Sequence, residues 1–277
     1  MGAACRAGDR KCIFVTGGAS GIGRATAELF AGRGWFVGAY DVDEGGLATL
    51  EQELGTGSCI TRRLDVSDKA DFDRAMEEFA EASGGRLDLL FNNAGIGAGG
   101  WFEEVPYDVA MRVLQVNFVG VVNGVYAALP LLERTPNSLC FSNSSSAAIY
   151  GMPRSAMYAA SKFAVKGLTE ALAVELARFG SRAADVLPAL IDTPILDTTP
   201  DYSGGEPPGV VMREAATPEG AMRLMQPEAV AECVWEAYGS DRVHWYVPEE
   251  MENVDRARAA GVEVLRDQFK KSVLDGG

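Results

Sequence analysis

The sequence predicts an α/β fold in which a doubly wound parallel sheet of about seven strands carries helices on both faces. Three observations predict this class. Short apolar runs alternate with amphipathic stretches of helical length along most of the 277 residues, a pattern typical of repeated strand–helix–strand units. A cluster of glycines separates the first apolar run from the first helical stretch. Four of the five residues in 87–91 are apolar, as expected of a strand buried on both faces.

The first half of the chain alternates regularly between the two element types. The apolar runs predict strands at 12–15, 35–40, 59–64 and 87–91. Helical periodicity predicts helices at 22–33, 44–54 and 67–82, with Ser67 as the N-cap of the last one. Strands joined by helices of this length form right-handed crossovers within one parallel sheet.

The second half continues this alternation, with one interruption. Helices are predicted at 107–132, 155–179 and 227–238, and strands at 139–141, 183–187 and 243–247. The segment 194–217 is rich in turn residues and too long for a simple connection, which is typical of a functional loop. We therefore expect one domain over 1–277, a mobile substrate lid at 194–225 and a helical C-terminal tail at 250–277.

The acidic balance of the chain limits its partners. Its 39 acidic and 25 basic residues give a formal net charge of −14. Nucleic acids and anionic membranes both require a positive protein face, so we expect neither as a partner. Docking to an acidic carrier protein is disfavoured for the same reason. No apolar stretch approaches the roughly 20 residues that span a bilayer.

The cysteines and the histidine exclude several chemistries. The five cysteines are scattered, at positions 5, 12, 59, 140 and 233, and their spacing fits no zinc site, so no metal is expected. Three of them lie in apolar runs, where a buried free thiol is the usual arrangement. This usage indicates a reducing compartment and hence a cytoplasmic protein. A single histidine, His244, cannot form a histidine cluster and is expected to be a packed or interface residue.

The turn after the first strand reads Thr-Gly-Gly-Ala-Ser-Gly-Ile-Gly over 16–23. Glycines let a backbone turn sharply and approach a pyrophosphate without an intervening Cβ atom. The helix that begins inside the turn offers amide groups and a positive dipole end to phosphates. Many strand–helix turns need glycine for purely structural reasons, but the strand before and the helix after favour dinucleotide binding.

Asp41 follows the second strand, 24 residues after Gly17. A carboxylate at this place accepts hydrogen bonds from ribose hydroxyls and repels a 2′-phosphate. The neighbouring Ser20 and Val42 add no basic charge, so NAD is favoured over NADP. The alternative is that Asp41 only caps the next helix or turn, in an acidic loop with Asp43 and Glu44.

Tyr158 and Lys162 lie four residues apart in a predicted helix and therefore share one face. A free tyrosine has a pKa of about 10, too high for an efficient base at neutral pH. A nearby ammonium group favours the phenolate and would make Tyr158 a usable acid or base. A surface pair without function is the alternative, since this spacing is common.

Together with other motifs, this pair resembles the short-chain dehydrogenase/reductase family. The turn at 16–23 matches the family's glycine motif, and Asn-Asn-Ala-Gly at 92–95 matches its signature. Asn117, Ser145 and the pair Tyr158 and Lys162 follow in the family's order. The resemblance covers 11–194, with a weaker match to 247. It implies a Rossmann-type sheet with the strand order 3-2-1-4-5-6-7.

The resemblance implies four catalytic residues: Asn117, Ser145, Tyr158 and Lys162. Tyr158 would exchange a proton with the substrate oxygen, which Ser145 would hold by a hydrogen bond. Lys162 would bind the nicotinamide ribose and lower the pKa of Tyr158. Asn117 would hold a water that links Lys162 to solvent. Ser145 lies thirteen residues before the tyrosine, as in the family, and Ser144 is the alternative.

The resemblance also extends the NAD site beyond the glycine turn. Asp65 would lie beside the adenine, and 93–95 along the adenosine. The segment 188–193 resembles a Pro-Gly-x-x-x-Thr segment near the nicotinamide, although Ala189 replaces its glycine. The expected cofactor contacts are Gly17, Ser20, Gly21, Ile22, Gly23, Asp41, Asp65, Val66, Asn93, Ala94, Gly95, Tyr158, Lys162, Pro188, Ile191 and Thr193.

The residues that the resemblance places around the substrate are largely apolar, which indicates a bulky, hydrophobic secondary alcohol or ketone. They are Ile96, Trp101, Ile149, Tyr150, Met152, Met157, Leu190 and Ile195, with Leu196, Met212, Met222, Leu224 and Met225 in the lid. Core packing of the lid explains several of them equally well. The helices containing Asn117 and Tyr158 resemble those that pair between subunits in the family, which implies a homotetramer, with a dimer as the second expectation.

The expected function is the transfer of a hydride between NAD(H) and a secondary alcohol or ketone. The same residues would serve an NADH-dependent ketone reductase, and the sequence does not choose the direction. A dinucleotide-binding redox sensor without turnover is the alternative outside enzymes, but it would be expected to lack a catalytic residue. A nucleotide-sugar epimerase shares the Tyr–Lys chemistry but fits the glycine spacing and the length less well.

Overall fold

A computed structural model of the chain describes residues 6–55, 57–204, 217–259, 261–263 and 266. Its strands are β1 (Cys12–Thr16), β2 (Phe36–Asp41), β3 (Cys59–Arg63), β4 (Leu89–Asn92), β5 (Leu139–Asn143), β6 (Arg182–Pro188) and β7 (His244–Val247). They pair in parallel in the order β3-β2-β1-β4-β5-β6-β7. The predicted fold class and strand order are confirmed.

Helices connect the strands and cover both faces of the sheet. They are α1 (Gly21–Gly32), α2 (Glu44–Leu54), α3 (Lys69–Ser83), α4 (Tyr107–Leu114), α5 (Gly120–Arg134), α6 (Ala156–Glu175), α7 (Ile195–Thr198), α8 (Pro227–Tyr238) and α9 (Met251–Ala259). A 3₁₀ turn at Ser146–Ala148 precedes α6, and another at Leu176–Phe179 follows it. Helix α9 lies at the start of the predicted tail; most of 260–277, and 205–216 of the predicted lid, lie outside the described residues.

The predicted N-cap of the third helix is wrong. Asp68 caps α3, because its carboxylate accepts hydrogen bonds from the backbone N–H groups of Ala70 and Asp71. The Ser67 hydroxyl instead donates to Asp65 at 2.6 Å. A carboxylate serves the positive end of the helix dipole better than a hydroxyl, and Ser67 is left to hold a residue of the predicted cofactor site.

Alternate residues of β1 enter two apolar layers, one on each face of the sheet. Phe14 stacks on Tyr40, with ring centroids 4.0 Å apart, in the layer that α3 and α5 complete. Ile13 and Val15 belong to the opposite layer, with α1 and α8. Burying one such side chain contributes roughly 1.5–3 kcal/mol. The two layers hold the sheet rigid, and the carboxyl ends of its strands form a fixed edge on which a site can be built.

The helical segment 107–134 is continuous but widens at its centre. Helix α4 passes through a π-helical turn, Gln115–Val119, into α5. Turns of this kind are frequent at functional sites, and this one carries Asn117. By length and composition the segment could cross a membrane, which corrects the expectation that no apolar stretch is long enough. Half of its most apolar window is buried within the protein, as in a core helix.

His244, the single histidine of the sequence, lies between two carboxylates at the start of β7. Its Nδ1 is 2.7 Å from Oδ1 of the buried Asp185, and its Nε2 is 3.2 Å from Oε1 of Glu170. Burial alone would lower the pKa of the imidazole. The hydrogen bond with Asp185 and the charge of that carboxylate raise it by more, so the net pKa lies above its ordinary value. His244 is therefore a polar link between the sheet and α6.

Replacing His244 with asparagine is expected to cost more stability in mild acid than in mild base. Because its pKa is higher in the folded chain, the stabilisation by protonated His244 is fully present below pH of about 6.5 and is lost as pH rises through the raised value. Urea unfolding of both proteins at pH of about 5.5 and about 8.5 measures the difference. An equal loss at both pH values would show that His244 acts by packing alone.

Candidate active site

The glycine turn between β1 and α1 is built so tightly that its glycines cannot be replaced freely. Gly17 and Gly21 have φ angles of +68° and +52°, in the left-handed region that favours glycine. A Cβ atom on Gly23 would lie 2.0 Å from the carbonyl oxygen of Gly17. Ser20 precedes α1 without capping it through its side chain. The first amides of the helix are thus available to an anion in the adjoining cleft.

Asp41 lies at the end of β2 and faces the same cleft. Its Oδ2 accepts a hydrogen bond from the backbone N–H of Ala19 at 3.1 Å, which ties it to the glycine turn. Its Oδ1 accepts from the N–H of Asp43 at 3.0 Å. Asp43, and not Asp41, caps the next helix: its carboxylate accepts hydrogen bonds from the backbone N–H groups of Gly45 and Gly46 at the start of α2. Asp41 therefore orders the loop and also lines the cleft.

A cleft of about 740 Å³ runs along the carboxyl edge of the sheet from Asp41 to the start of α6. It brings together nearly all the residues that the sequence places in a cofactor site. Those lining it are Gly17, Ser20, Gly21, Ile22, Asp41, Asp65, Val66, Asn93, Ala94, Gly95, Tyr158, Lys162, Pro188, Ile191 and Thr193. Gly23 lies behind this wall, against Gly17 and Asn93.

Asp65 carries a partner that sequence reasoning missed. Arg112 of α4 also lines the cleft, and its Nη2 lies 3.0 Å from Oδ2 of Asp65. Burial raises the pKa of Asp65, but hydrogen bonds from Ser67 and Arg112 outweigh it, so the net pKa is below its ordinary value. Asp65 is thus an ionised acceptor with a fixed orientation. No local signal links Arg112 to it, because the two are 47 residues apart in the chain.

Tyr158 and Ser145 both line the inner end of the cleft, where burial raises the pKa of Tyr158 and the Ser145 hydroxyl lowers it in part. The Ser145 hydroxyl also accepts from the backbone N–H of Ala147 at 3.1 Å. Ser144, the alternative serine, donates its hydroxyl to the carbonyl oxygen of Lys162 at 3.0 Å. The structure therefore favours Ser145 as the partner of Tyr158 and gives Ser144 a role in anchoring α6.

Lys162 lies beside Tyr158 but is held by a residue that the sequence did not single out. Its Nζ donates to the backbone carbonyl of Asn143 at 2.7 Å and lies 5.6 Å from the centroid of the Tyr158 ring. Burial lowers the pKa of Lys162 to about 8. Any residue at 143 would offer a carbonyl, so its identity gives no sequence signal.

The predicted lowering of the Tyr158 pKa by Lys162 is corrected. Burial raises the pKa of Tyr158 above its ordinary value, and the hydrogen bond with Ser145 lowers it only in part. The ammonium of Lys162 is directed to the Asn143 carbonyl, and its own positive charge is disfavoured by burial. Tyr158 is therefore protonated at neutral pH, as a proton donor to a carbonyl oxygen must be.

Asn117 connects three segments of the site. Its Oδ1 accepts from the backbone N–H of Ile96 at 2.8 Å, and its Nδ2 donates to the Ile96 carbonyl at 2.9 Å and to Ser161 at 3.2 Å. A Cβ atom on Gly95 would lie 3.3 Å from Asn117 Oδ1 and 3.6 Å from Lys162 Nζ, so both polar groups adjoin this glycine. The amide thus fixes the 95–97 loop against α6.

The apolar residues predicted around the substrate divide into two groups. Those lining the cleft are Ile96, Met152, Leu190, Ile195, Leu196 and Met222. The others lie away from it: Ile149 and Tyr150 pack with Leu187 and Met251, and Met225 packs beneath the sheet. Trp101, Met157 and Leu224 do not line the cleft either, and Met212 lies outside the described residues. Core packing therefore explains part of the predicted set.

The cysteines and metal-ligand residues show no competing centre in the part of the chain that the structure describes. Cys12, Cys59, Cys140 and Cys233 are buried and lie outside any disulfide. Burial raises the pKa of Cys140 to about 12, so its reactive thiolate is strongly disfavoured. Among the described residues, no group of three or more acidic, cysteine or histidine side chains could hold a metal ion.

Comparison with known proteins identifies the class. A sequence profile of the short chain dehydrogenases matches residues 11–202. L-2,3-butanediol dehydrogenase of Corynebacterium glutamicum is 34% identical over 229 residues, which cover 80% of this chain and 88% of that protein. A 3-oxoacyl-(acyl-carrier-protein) reductase of Thermotoga maritima is 33% identical over 229 residues, covering 82% of this chain and 89% of that protein.

A solved structure agrees with these relatives. The crystal structure of a short-chain dehydrogenase/reductase from Burkholderia phymatum in complex with NAD aligns with a TM-score of 0.81 and 30% identity. The alignment covers 93% of this chain and 95% of that one. The chain therefore belongs to the short-chain dehydrogenase/reductase family, and it is an oxidoreductase.

Proposed function

We propose that the protein is an NAD-dependent dehydrogenase that oxidises a bulky, hydrophobic secondary alcohol to a ketone and also catalyses the reverse reduction. The observation that carries the proposal is that Tyr158, Ser145 and Lys162 line one cleft, where the Ser145 hydroxyl offsets part of the rise that burial causes in the pKa of Tyr158 and Nζ of Lys162 lies 5.6 Å from the centroid of the Tyr158 ring. A proton donor and a second hydroxyl at one point can hold and protonate a single substrate oxygen.

The lining of the cleft supports NAD as the cofactor. The glycine turn and the N-terminus of α1 would receive the pyrophosphate, because Gly17 and Gly21 line the cleft there and the side chain of the residue before α1 does not cap the helix. Asp41 would accept hydrogen bonds from the adenosine ribose, and Asp65 would lie beside the adenine. The Burkholderia phymatum relative was crystallised with NAD, which supports this choice. Lys162 and Tyr158 would hold the nicotinamide ribose.

Each residue around the substrate oxygen would have its own role in the reaction. When bound, the nicotinamide ring supplies the site that accepts or gives the hydride. Ser145 and Tyr158 would orient the substrate oxygen. Tyr158 would give its proton to that oxygen during reduction; during oxidation it would first pass its own phenolic proton on to solvent and then, as the phenolate, take the proton of the alcohol. Lys162 and Asn117 would pass protons between Tyr158 and solvent along the 95–97 loop. The pKa of Lys162, about 8, allows it to exchange protons near neutral pH.

The substrate class follows from the lining of the cleft beyond Tyr158. Ile96, Leu190 and Ile195 make that end apolar, and Met152 and Met222 add side chains that adapt to irregular ligands. One relative is named for a small diol and another for an acyl-carrier-protein substrate. The net charge of −14 disfavours an acidic carrier protein, so we propose a free alcohol or ketone.

The test is NADH formation by the purified protein over secondary alcohols of increasing size, from small aliphatic to bicyclic and steroidal. NADP runs in parallel, and the matching ketones are offered with NADH. Turnover with NAD that is highest for bulky alcohols supports the proposal. Tight NADH binding without turnover on any member would favour the redox sensor instead.

Replacing Asp41 with alanine is expected to reduce the preference for NAD over NADP by about 10- to 100-fold, because the carboxylate no longer binds the ribose hydroxyls or repels the 2′-phosphate. The ratio of kcat/KM for the two cofactors measures it. Asp43→Ala is the matched control: it removes the exposed cap of α2 and should cost about 1 kcal/mol of stability with no change in the cofactor ratio. An Asp41 variant that keeps the wild-type ratio would contradict the assignment.

We also propose a cytoplasmic homotetramer, with a dimer as the second expectation. Apolar side chains remain exposed on the helices that carry Asn117 and Tyr158, namely Tyr107, Tyr126 and Val174, which are 80%, 65% and 74% exposed. Pairing of these helices between subunits would cover them. Light scattering of the purified protein measures the mass, and a monomer at micromolar concentration would contradict the proposal.

A further inference from the structure

Three segments of the chain meet beside the cleft and form one hydrogen-bonded unit, here called the latch: residues 97–101, 152–154 and 199–203. The N–H of Gly99 donates to the carbonyl of Pro200 at 2.8 Å, and the N–H of Tyr202 donates to the carbonyl of Gly99 at 2.9 Å. The N–H of Gly100 donates to the carbonyl of Arg154 at 2.8 Å. The backbone of 97–101 is thus bonded to both of the other segments.

Glycines allow this close approach. A Cβ atom on Gly97 would lie 2.5 Å from the hydroxyl oxygen of Thr199. Gly100 has a φ angle of +136°, and a Cβ atom there would lie 3.1 Å from the Cβ of Tyr202. Larger residues would push the segment 199–203 away from the 97–101 loop, so the spacing of these two segments depends on the two glycines.

Arg154 closes the latch with its side chain. Its Nη2 lies 2.9 Å from Oδ2 of Asp201, and its Nε donates to the hydroxyl of Ser203 at 3.1 Å. The Asp201 side chain is only 13% exposed and also accepts from the N–H of Ser203 at 2.8 Å. A shielded, multiply bonded ion pair of this kind is stronger than an exposed one.

The backbone of Arg154 gives a second, independent observation. Its φ angle is +62°, in the left-handed region that residues other than glycine rarely adopt. Such a conformation persists where surrounding contacts hold it, and it is concentrated at functional sites. Here the contacts are those of its carbonyl with Gly100 and of its guanidinium with Asp201 and Ser203.

The latch adjoins the reacting end of the cleft. Arg154 immediately precedes Ser155, the residue before α6, and lies four residues before Tyr158. Gly97, Ala98, Met152, Thr199 and Pro200 line the cleft together with Tyr158. Movement of 199–203 would therefore widen the space for a substrate without touching the glycine turn or Asp41.

We infer that Arg154 is a positioning residue for the substrate: by its ion pair with Asp201 it holds 199–203 on the 97–101 loop and sets the width of the substrate end of the cleft. The inference rests on the proposed function for the identity of that end, while the latch itself is a property of the fold. Loss of the pair is expected to weaken substrate binding and to leave NADH binding unchanged.

The test compares Arg154→Met and Asp201→Asn, which each remove one charge, with the double variant. Each single variant is expected to raise KM for the best alcohol about tenfold, and the double variant to be no worse than either, as for two residues that act through one interaction. Arg154→Lys should recover part of the loss. Arg154→Gly relieves the left-handed backbone and should fold well, yet show the same increase in KM. Arg256→Met, which breaks an exposed pair on α9, is the control and should match wild type.

Hydrogen exchange gives a readout that does not need turnover. The amides of Gly99 and Tyr202 are expected to exchange faster in Arg154→Met and Asp201→Asn, with NADH affinity unchanged. If wild type oxidises no alcohol, the proposed function fails, and the exchange result alone decides whether the latch exists. Unchanged exchange at these amides, additive effects in the double variant, or a fall in kcat without a rise in KM would each overturn the inference.

Discussion

Replacing Tyr158 with phenylalanine is expected to slow alcohol oxidation by about 10²- to 10⁴-fold, the range for loss of a general acid–base group. The ring keeps its place in the half-buried wall of the cleft. NADH affinity should therefore fall by no more than about tenfold, the effect of one lost hydrogen bond to the nicotinamide ribose. Steady-state kinetics and NADH fluorescence titration measure the two effects separately.

Tyr150→Phe is the matched control for that variant. Tyr150 lies in the same connection between β5 and α6, is buried, and packs with Leu187 and Met251. Its hydroxyl makes a weak 3.9 Å contact with Sδ of Met222, but Tyr150 itself does not line the cleft. Loss of its hydroxyl should leave turnover near that of wild type. If Tyr150→Phe were as inactive as Tyr158→Phe, the loss would reflect a disturbed loop rather than a missing proton donor.

Replacing Gly23 with alanine is expected to abolish NADH binding and to destabilise the fold by about 1–3 kcal/mol or more, as in other overpacked sites. The new Cβ atom would lie 2.0 Å from the Gly17 carbonyl oxygen and 2.7 Å from Nδ2 of Asn93, so the whole turn must rebuild. Urea unfolding measures the stability, and NADH titration measures the affinity.

Gly32→Ala tests the same substitution at the other end of α1. A Cβ atom on Gly32 meets no heavy atom within 4 Å, so alanine should stabilise the helix by about 0.5–1 kcal/mol through its lower conformational entropy in the unfolded chain. If Gly23→Ala lowers the free energy of unfolding and Gly32→Ala raises it, packing at the turn, and not helix propensity, requires Gly23. Wild-type NADH affinity in Gly23→Ala would contradict the placement of the pyrophosphate.

The fold could be predicted largely because its signals are local. The apolar runs of β1 and β4 and the glycines at 17, 21 and 23 each identify an element or turn from adjacent residues. Parallel pairing then follows from the helices between strands, which leave few topologies open. The spacing of Tyr158 and Lys162 likewise places two side chains on one helix face without knowledge of the rest.

The parts of the site that could not be predicted from the sequence depend on contacts between segments that are far apart in the chain. The pair Arg112 and Asp65, and the pair Arg154 and Asp201, join residues 47 apart in the chain in both cases. The direction of the Tyr158 pKa was wrong because burial, which raises it, depends on the packed surroundings and not on the spacing of two residues. The prediction of Ser67 as the N-cap of α3 is wrong because the adjacent Asp68 accepts the hydrogen bonds at the start of that helix.

The most direct test of hydride transfer follows an isotope. The best alcohol of the panel, with deuterium on its carbinol carbon, is incubated with NAD and the wild-type protein, and the NADH formed is examined by mass spectrometry. The expected result is one deuterium in each NADH molecule, with formation greatly slowed in Tyr158→Phe. NADH that binds tightly but never acquires the label, over all alcohols, would contradict the assignment of the cleft as a dehydrogenase site.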